Sequence, residues 1–410
     1  MTQLETYLQN LQRFGIQPGL ERIRALLQSA GNPQLKYPTI LVGGTNGKGS
    51  TCEFAVRLLA QNSRKVGLYT SPHLYTWNER IRILPGAGLF EGAISDADLD
   101  AIFEDAKPHI ENVARELGQP TEFEVVTFLG FWHFARQKVD AAVIEVGLGG
   151  KWDATNVCEP LVSVVTHVAL DHMDRLGNTL EAIAADKVCI ARAGRPFLTG
   201  EDKPEVLEVF QAHCVEIGAR FHQHLFIANA KKHPTLQNGQ NFSLSGFAVD
   251  AFLKEQNIAT TGQHSLGHPQ IPGRFEQISE NPKIIIDGAN NPDGADYLTY
   301  KIQNYERIQP ENLILVLGIL VDKDWPQMTE ILAPLAKVVV ATQSASPRAA
   351  PASQIAEVAR QFCANVEEVT PVVDAVARAK SLARPEDTIL VTGSFTTIAE
   401  VPRESSQEKI

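Results

Sequence analysis

Paired cysteines and long apolar runs are both missing from this 410-residue chain. The five cysteines (Cys52, Cys158, Cys189, Cys214 and Cys363) are scattered, odd in number and without a C-x-x-C pair. That excludes a disulfide framework and a cysteine-built zinc site, and it fits the reduced thiols of a cytoplasmic protein. The longest apolar runs, such as LILVLGILV at 313–321, fall short of the roughly 20 residues a membrane span needs. The opening MTQLETYLQNLQRFG lacks the charged-then-apolar pattern of a secretory signal and reads as an amphipathic helix. Basic charge is also in deficit: 37 Lys and Arg against 48 Asp and Glu give a net charge of −11. A broad nucleic-acid surface is therefore not expected. A small anionic ligand stays open, because a local site can be positive on an acidic protein. No repeat of solenoid length is visible.

The composition that is present, 44% hydrophobic and 21% charged, is that of an ordinary globular protein. The length exceeds what one hydrophobic core usually supports, so two or three domains are expected. YPTILVGG reads as a buried strand, and STCEFAVRLLAQ after it as a helix. Apolar segments follow in alternation: KVGLYT, FEVVTFLGFWHFA, VDAAVIEVG and LVSVVTHV. The last two have the look of parallel strands buried on both faces. LGNTLEAIAADKVCIARAG predicts a helix stopping at Gly194. Residues 220–272 are rich in Gly, Pro, Asn and Ser, and the expectation there is loops or a linker. From Lys283 a second rhythm begins, with KIIIDG, LILVLG, KVVVAT and TILVTG as strands and PASQIAEVARQF and VVDAVARAKSLA as helices. The expected division is 1–272 and 273–410.

The loop between the first strand and its helix, GGTNGKGST, almost matches the phosphate-binding pattern G-x-x-x-x-G-K-[ST]. Val42 stands where the pattern wants glycine, and Gly49 intervenes between Lys48 and the hydroxyls of Ser50 and Thr51. The context of strand, glycine turn and helix N-terminus is nevertheless the one a phosphate site requires. Gly44, Gly47 and Gly49 would let the backbone approach phosphate, and Lys48 would reach the terminal oxygens. A ligand-free glycine turn is the plainer reading. Three later clusters weigh against it: YTSPHLYTWNERIRI with Ser71 and Arg80, VIEVGLGGKWDATN with Glu145 and Asp153, and HVALDHMDRLGNTL with Asp171 and His172. Each follows a strand, and open α/β sheets bind ligands beyond the carboxyl ends of their strands. Glu145 and His172 are candidate ligands for magnesium, although the histidine alone would suit zinc.

Taken in order, GTNGKGS, TSPHL with ERI, EVGLGG with DATN, LDHMDRLG, DK before CIA, PGRFE, DGANNP, DKDW and TGSF resemble the folylpolyglutamate synthase/dihydrofolate synthase family of the Mur ligase superfamily. The resemblance runs from about residue 4 to about residue 400 and thins between about 200 and 270. It implies an α/β fold: a P-loop-containing central domain of the Mur ligase type with a mostly parallel sheet, then a smaller Rossmann-like α/β domain. It also implies an ATP- and Mg2+-dependent enzyme that adds L-glutamate to dihydropteroate, to a reduced folate or to both through an acyl phosphate. The family's loop carries one small residue between lysine and hydroxyl, as here, so Gly44, Thr45, Asn46, Gly47, Lys48, Gly49, Ser50 and Thr51 would hold ATP. Ser71, Glu145, His172 and Lys187, the last as a carbamate, would surround magnesium. Arg274, Asp287 and Asn290 would complete the nucleotide site, with the reaction in a cleft between the two domains. Phe123, Asp153, Ala154, Thr155, Asn156, Arg80 and Arg348 would contact substrates, and Lys48, Lys187, His172 and Asp287 would carry the chemistry. The expected state is a monomer.

Three departures from the family pattern stand out. Asn290 occupies the histidine position of D-G-A-H-N-P, and Lys151-Trp152 replaces Arg-Leu before DATN. The family's Gly-His-Gln and Asn-Ala pattern ahead of PGRFE is not found in FSLSGFAVDAFLKEQNIATTGQ. The alternatives these leave are an amide ligase with another acceptor, a small-molecule kinase on the same loop, and a catalytically impaired homologue.

Overall fold

The computed structural model describes residues 3–11, 18–61, 64–224, 236–260, 262–266 and 271–403. The chain forms two compact units, Met1–Gly267 and His268–Ile410. Each is built on a sheet of short aliphatic strands buried on both faces, which leaves parallel pairing covered by helices as the stable arrangement.

In the first unit the strands are β1 (Thr39–Gly43), β2 (Val66–Tyr69), β3 (Ile81–Leu84), β4 (Ala141–Glu145), β5 (Val162–Val165), β6 (Pro196–Thr199) and β7 (Arg220–Gln223). Their spatial order is β3-β2-β4-β1-β5-β6-β7, with only β3 antiparallel to its neighbour. Side chains along β1 alternate between two cores. Leu41 joins the core that holds Phe128, Phe131 and Phe134 from the helix Glu122–Arg136. Ile40 and Val42 join the one that holds Cys52, Ala55 and Val56 from the helix Lys48–Ala60. Each fully buried Leu, Ile or Phe contributes about 1.5–3 kcal/mol. Val42 pairs with Glu145 and with Val164, Tyr69 with Ile144, and Val165 with Thr199. That register brings the carboxyl ends of β1, β2, β4, β5 and β6 to one edge.

The second unit carries β8 (Glu276–Glu280), β9 (Lys283–Ile286), β10 (Leu313–Leu317), β11 (Val338–Ala341), β12 (Val366–Glu368) and β13 (Thr388–Thr392). They run in the order β12-β11-β10-β13-β9-β8, all parallel except β8. Its core is separate, formed by Leu315, Leu317, Val339 and Leu390 with Leu298, Met328 and Ile355 from the helices. Both units are α/β with mostly parallel sheets, the expected fold class.

Two elements differ from expectation. A helix, Leu236–Glu255, runs through sequence expected to be loop or linker. Gly239, Gly246 and four serines and asparagines make it a poor helix by propensity. Leu244, Ala248 and Phe252, four residues apart, bury one face of it against the helix Lys48–Ala60, and that packing decides the matter. Nor does the helix expected to stop at Gly194 run that far. It spans Leu180–Lys187, and a 3-10 turn, Val188–Ile190, is pinned by Ser163 Oγ donating to Ile190 O at 2.7 Å. Among the described residues no helix is long and apolar enough to cross a membrane.

A buried ion-pair network ties β3 to the helix Lys48–Ala60. Arg82 reaches both carboxylate oxygens of Glu53, at 2.7 and 3.3 Å, and Arg57 links Glu53 to Glu91. Removing one partner strands a charge away from water. Glu53→Ala is therefore expected to cost about 3–5 kcal/mol of stability, read as a lower urea midpoint. A change within about 0.5 kcal/mol, the scale of ordinary surface substitutions, would contradict the burial argument.

Candidate active site

The phosphate-type loop joins Gly43 at the end of β1 to the helix beginning at Lys48. Its carbonyls are all turned toward protein donors. Gly43 O accepts from the Thr166 N–H at 3.0 Å, and Gly44 O from Lys187 Nζ at 2.9 Å. Thr45 O accepts from Lys48 Nζ at 3.2 Å, Asn46 O from Thr166 Oγ1 at 2.7 Å, and Gly47 O from the Thr51 N–H at 2.9 Å. With the oxygens occupied in this way, the N–H groups at the start of the helix are left to an anion, and the helix dipole favours one there. Glycine is required at two points. Gly44 has φ 141°, and a Cβ would stand 2.0 Å from Thr166 Oγ1; Gly47 has φ 84° and is the N-cap. Ser50 and Thr51 are buried on the first helical turn.

Glu145 ends β4, its carboxylate against Gly49 and its Oε2 accepting the Ser71 N–H at 3.0 Å. The sheet therefore brings together Lys48, Glu145 and Ser71 from three strand ends. Asp171 and His172 follow β5. His172 caps a short turn with φ 50°, and its N–H donates to Asp171 Oδ1 at 2.8 Å. No group of three His, Cys, Asp or Glu side chains among the described residues is disposed to hold a metal. That donor set suits magnesium better than zinc, because magnesium keeps waters and takes phosphate oxygens beside one or two carboxylates.

Lys187 is 3% exposed, at the last turn of its helix. Burial, and next the charge of Lys48, lower its pKa to about 7 against the pull of Asp186, Asp171 and Asp153. A surface lysine, the plain reading of the sequence, would show no such shift.

The DATN segment is occupied with itself. Asp153 accepts from the N–H groups of Leu148 and Thr155 at 2.8 and 3.0 Å and from Thr155 Oγ1, and burial raises its pKa. Ala154 is buried, and Asn156 accepts from Arg192 and donates to the carbonyls of Lys151 and Cys189. Phe123 lies against Gly147 with its ring 6.3 Å from that of Tyr69, at the edge of the core. Arg80 is buried, stacks on Trp77 at 4.2 Å and donates through Nε to His73 Nδ1 at 3.0 Å. Burial and Arg80 together hold His73 neutral, with its pKa lowered to about 3.

In the second unit, Asp287 follows β9 and accepts from the N–H groups of Phe275 and Ala289 at 2.8 and 2.9 Å. Burial raises its pKa, opposed by Arg274 and Lys301. The Arg274 guanidinium lies 4.7 Å from the centre of the Phe395 ring. Asn290 is half-buried beside Asn291, which caps the next helix. Arg348 is exposed and paired with Asp322 of the DKDW segment.

One residue of this neighbourhood escaped sequence reading. Asn241, on the helix Leu236–Glu255, is buried, and its Oδ1 lies 2.7 Å from where a Gly47 Cβ would be. The usable signal was an asparagine four residues before Ser245 and seven before Ala248, on the face that packs against the loop helix.

Comparison with known proteins agrees with this geometry. The Mur ligase middle domain matches residues 42–266, and the Mur ligase glutamate ligase domain matches residues 273–395. A dihydrofolate synthase/folylpolyglutamate synthase of Bacillus subtilis (strain 168) is 32% identical over 422 aligned positions, covering 95% of each chain. A Mycobacterium tuberculosis folylpolyglutamate synthase solved with ADP superposes with a TM-score of 0.84 at 30% identity, covering 98% of each chain. An Escherichia coli FolC solved with DHPP and ADP gives 0.82 at 29%, covering 97% of this chain and 96% of that one. The chain belongs to the Mur ligase family and, within it, to the dihydrofolate synthase/folylpolyglutamate synthase family.

The clash at Gly44 gives a direct check. Gly44→Ala is expected to weaken ADP binding by ~100-fold or more, about 2.7 kcal/mol, and also to lower the thermal midpoint, because the new Cβ clashes with Thr166 and sits at a strained φ. Calorimetric titration measures the first and a melting curve the second; unchanged affinity would mean that the loop does not hold phosphate.

Proposed function

We propose that this chain is an ATP-dependent ligase that joins L-glutamate to dihydropteroate, to a reduced folate, or to both. The observation that carries the reading is the loop with every carbonyl from Gly43 to Gly47 turned away from its N–H face, beside a lysine kept near neutrality. On this reading ATP phosphorylates the acceptor carboxylate, and the amino group of glutamate attacks the acyl phosphate to give an amide and phosphate. The reaction asks the protein for positioning and cationic stabilisation. Lys48 and the N–H groups of Asn46 to Ser50 bind the terminal phosphates. Ser71, Glu145 and His172 would hold magnesium, which would supply positive charge beside the transferred group. Arg274, Asp287 and Asn290 belong to the nucleotide site, and Arg80, Phe123, Arg348 and the Asp153–Asn156 turn to the substrates. The five cysteines are free, four of them buried, which supports a cytoplasmic enzyme. The reading takes the protein to act as a monomer.

Lys187 supplies its share as a carbamate. Its neutral amine adds to carbon dioxide, forming an N–C bond and releasing a proton, and the product carries a negative charge for a second magnesium. The carbamate nitrogen retains one hydrogen, enough to keep the bond to Gly44 O.

Phosphate release with magnesium-ATP and L-glutamate tests the main reading, run with 7,8-dihydropteroate, with tetrahydrofolate and with no acceptor. Release that depends on a pterin, with a product heavier by one glutamate residue, is expected, and Lys48→Ala should abolish it. Tight ADP binding without turnover on either acceptor would overturn the folate assignment in favour of another acceptor or an impaired homologue.

The carbamate is tested separately. Only the neutral amine reacts, and with a pKa of about 7 its share falls about tenfold per pH unit below that value. At fixed dissolved carbon dioxide, activity should therefore climb from pH 6 through pH 7. Carbon-13 bicarbonate should give a carbamate signal in NMR spectra that Lys187→Met lacks. A flat response to bicarbonate with no such signal would leave Lys187 as a plain amine.

A further inference from the structure

Next to residues 166–169, which hold the phosphate loop, lies a carboxylate with no part in the reaction described above. Glu201 follows β6 and is 0% exposed. Its Oε2 accepts the Val168 N–H at 2.7 Å and lies 3.4 Å from His167 Nδ1. Its Oε1 accepts the N–H groups of Asp202 and Lys203 at 3.0 and 3.2 Å, and Lys203 Nζ at 3.2 Å. Lys203 Nζ also donates to Val168 O at 3.1 Å. Burial alone would raise the pKa of this carboxyl; His167, the Val168 N–H and Lys203 outweigh it and hold the group ionised.

The backbone that Glu201 grips is the backbone that grips the loop. His167 O accepts the Thr45 N–H at 2.6 Å. Thr45 Oγ1 donates to Ala169 O at 3.2 Å and accepts the Ala169 N–H at 3.1 Å. Thr166, one residue before, bonds Gly43 O and Asn46 O. Thr45 thus spends its N–H and its hydroxyl on residues 167 and 169, and residue 168 between them hangs on Glu201. Only an anion with several acceptor sites can hold Val168, His167 and Lys203 at once.

We propose that Glu201 is a positioning residue for the nucleotide: through Val168 and His167 it fixes Thr45, and through Thr45 the shape of the phosphate loop. This rests on the reading of the loop as a nucleotide site, but not on folate as the acceptor. Glu201→Gln keeps size and removes charge, and its amide hydrogens would face the donors of Asp202 and Lys203.

The test is the dissociation constant of magnesium-ADP by calorimetry, with KM for ATP and for the acceptor measured beside it. Glu201→Gln should weaken ADP binding and raise the KM for ATP by about tenfold, leaving the acceptor KM within about twofold. Thr45→Val should do the same, and the double variant should be no worse than either single one, because both cut one chain of contacts. If Glu201→Gln does not fold, Glu201→Asp takes its place, with the same split expected. Reduced thermal stability with unchanged ADP affinity would make Glu201 a purely structural residue and overturn the inference, as would additive losses in the double variant. A wild-type chain that binds no nucleotide would overturn the phosphate-loop reading first and this inference with it.

Discussion

The first unit depends on a constraint in its backbone: the carbonyl oxygens from Gly43 to Gly47 must be satisfied from behind. A peptide unit cannot offer its N–H to an anion at close range while its neighbours' oxygens point the same way, since the oxygens would repel the anion. Three of the donors that solve the problem are side chains. Lys187 takes Gly44 O, Lys48 takes Thr45 O and Thr166 takes Asn46 O. The rest of the unit brings those donors to one place. Parallel register puts the ends of β1, β4 and β5 on one edge, and the short helix Leu180–Lys187 delivers its last residue there.

The same constraint orders the neighbours of the loop. Glu145 can lie against Gly49 because β4 pairs with β1 one residue short of the loop, with Val42 opposite Glu145. Its Oε2 accepts the Ser71 N–H, so the TSPHL segment is tied to the sheet edge through the carboxylate itself. A cation near Glu145 would therefore meet β2, β4 and the loop together. In the second unit Asp287 repeats the device, accepting two backbone N–H groups that hold Phe275 and Ala289 in place.

Much of this was legible in the sequence, and what was not shares one physical cause. These strands announced themselves because a parallel strand is apolar throughout and ends in, or is followed by, glycine or a polar residue, as TILVG, AAVIE and LILVL before Gly318 show. GTNGKGS was readable because the loop needs glycines at fixed places whatever surrounds it. The helix Leu236–Glu255 was not readable: Gly239, Gly246 and Asn241 spoil its propensity, and only the helix it packs against makes it form. Asn241 was hidden with it, since a polar residue is placed over Gly47 by tertiary packing alone. Glu201 was hidden for the same reason. Nothing in TGEDKP says that the carboxylate is buried or that its partners lie more than thirty residues earlier.

Lys187 shows how such hidden burial is to be weighed. An unfolded chain holds its proton up to a pKa of 10.5, and the folded chain only to about 7. The unfolded state thus binds more protons between those values, and stability rises with pH across that window. Below about pH 7 the full cost of burying the group applies, a few kcal/mol at least. A methionine of similar length would avoid that cost and fill the same space. Lys301 in the second unit is a useful contrast. It too is buried with a lowered pKa, but Asp287 and Glu306 pull against the shift, and its Nζ rests 3.8 Å from the centre of the Phe275 ring. Lys301 is thus compensated by its surroundings and can serve the fold. At Lys187 the strongest charge effect comes from another lysine, Lys48, whose repulsion lowers the pKa further, and Asp186, Asp171 and Asp153 pull against it without restoring the usual value. Lys187 thus costs stability twice over, by burial and by like charge, and what the fold gains in return is the bond to Gly44 O that holds the loop in shape.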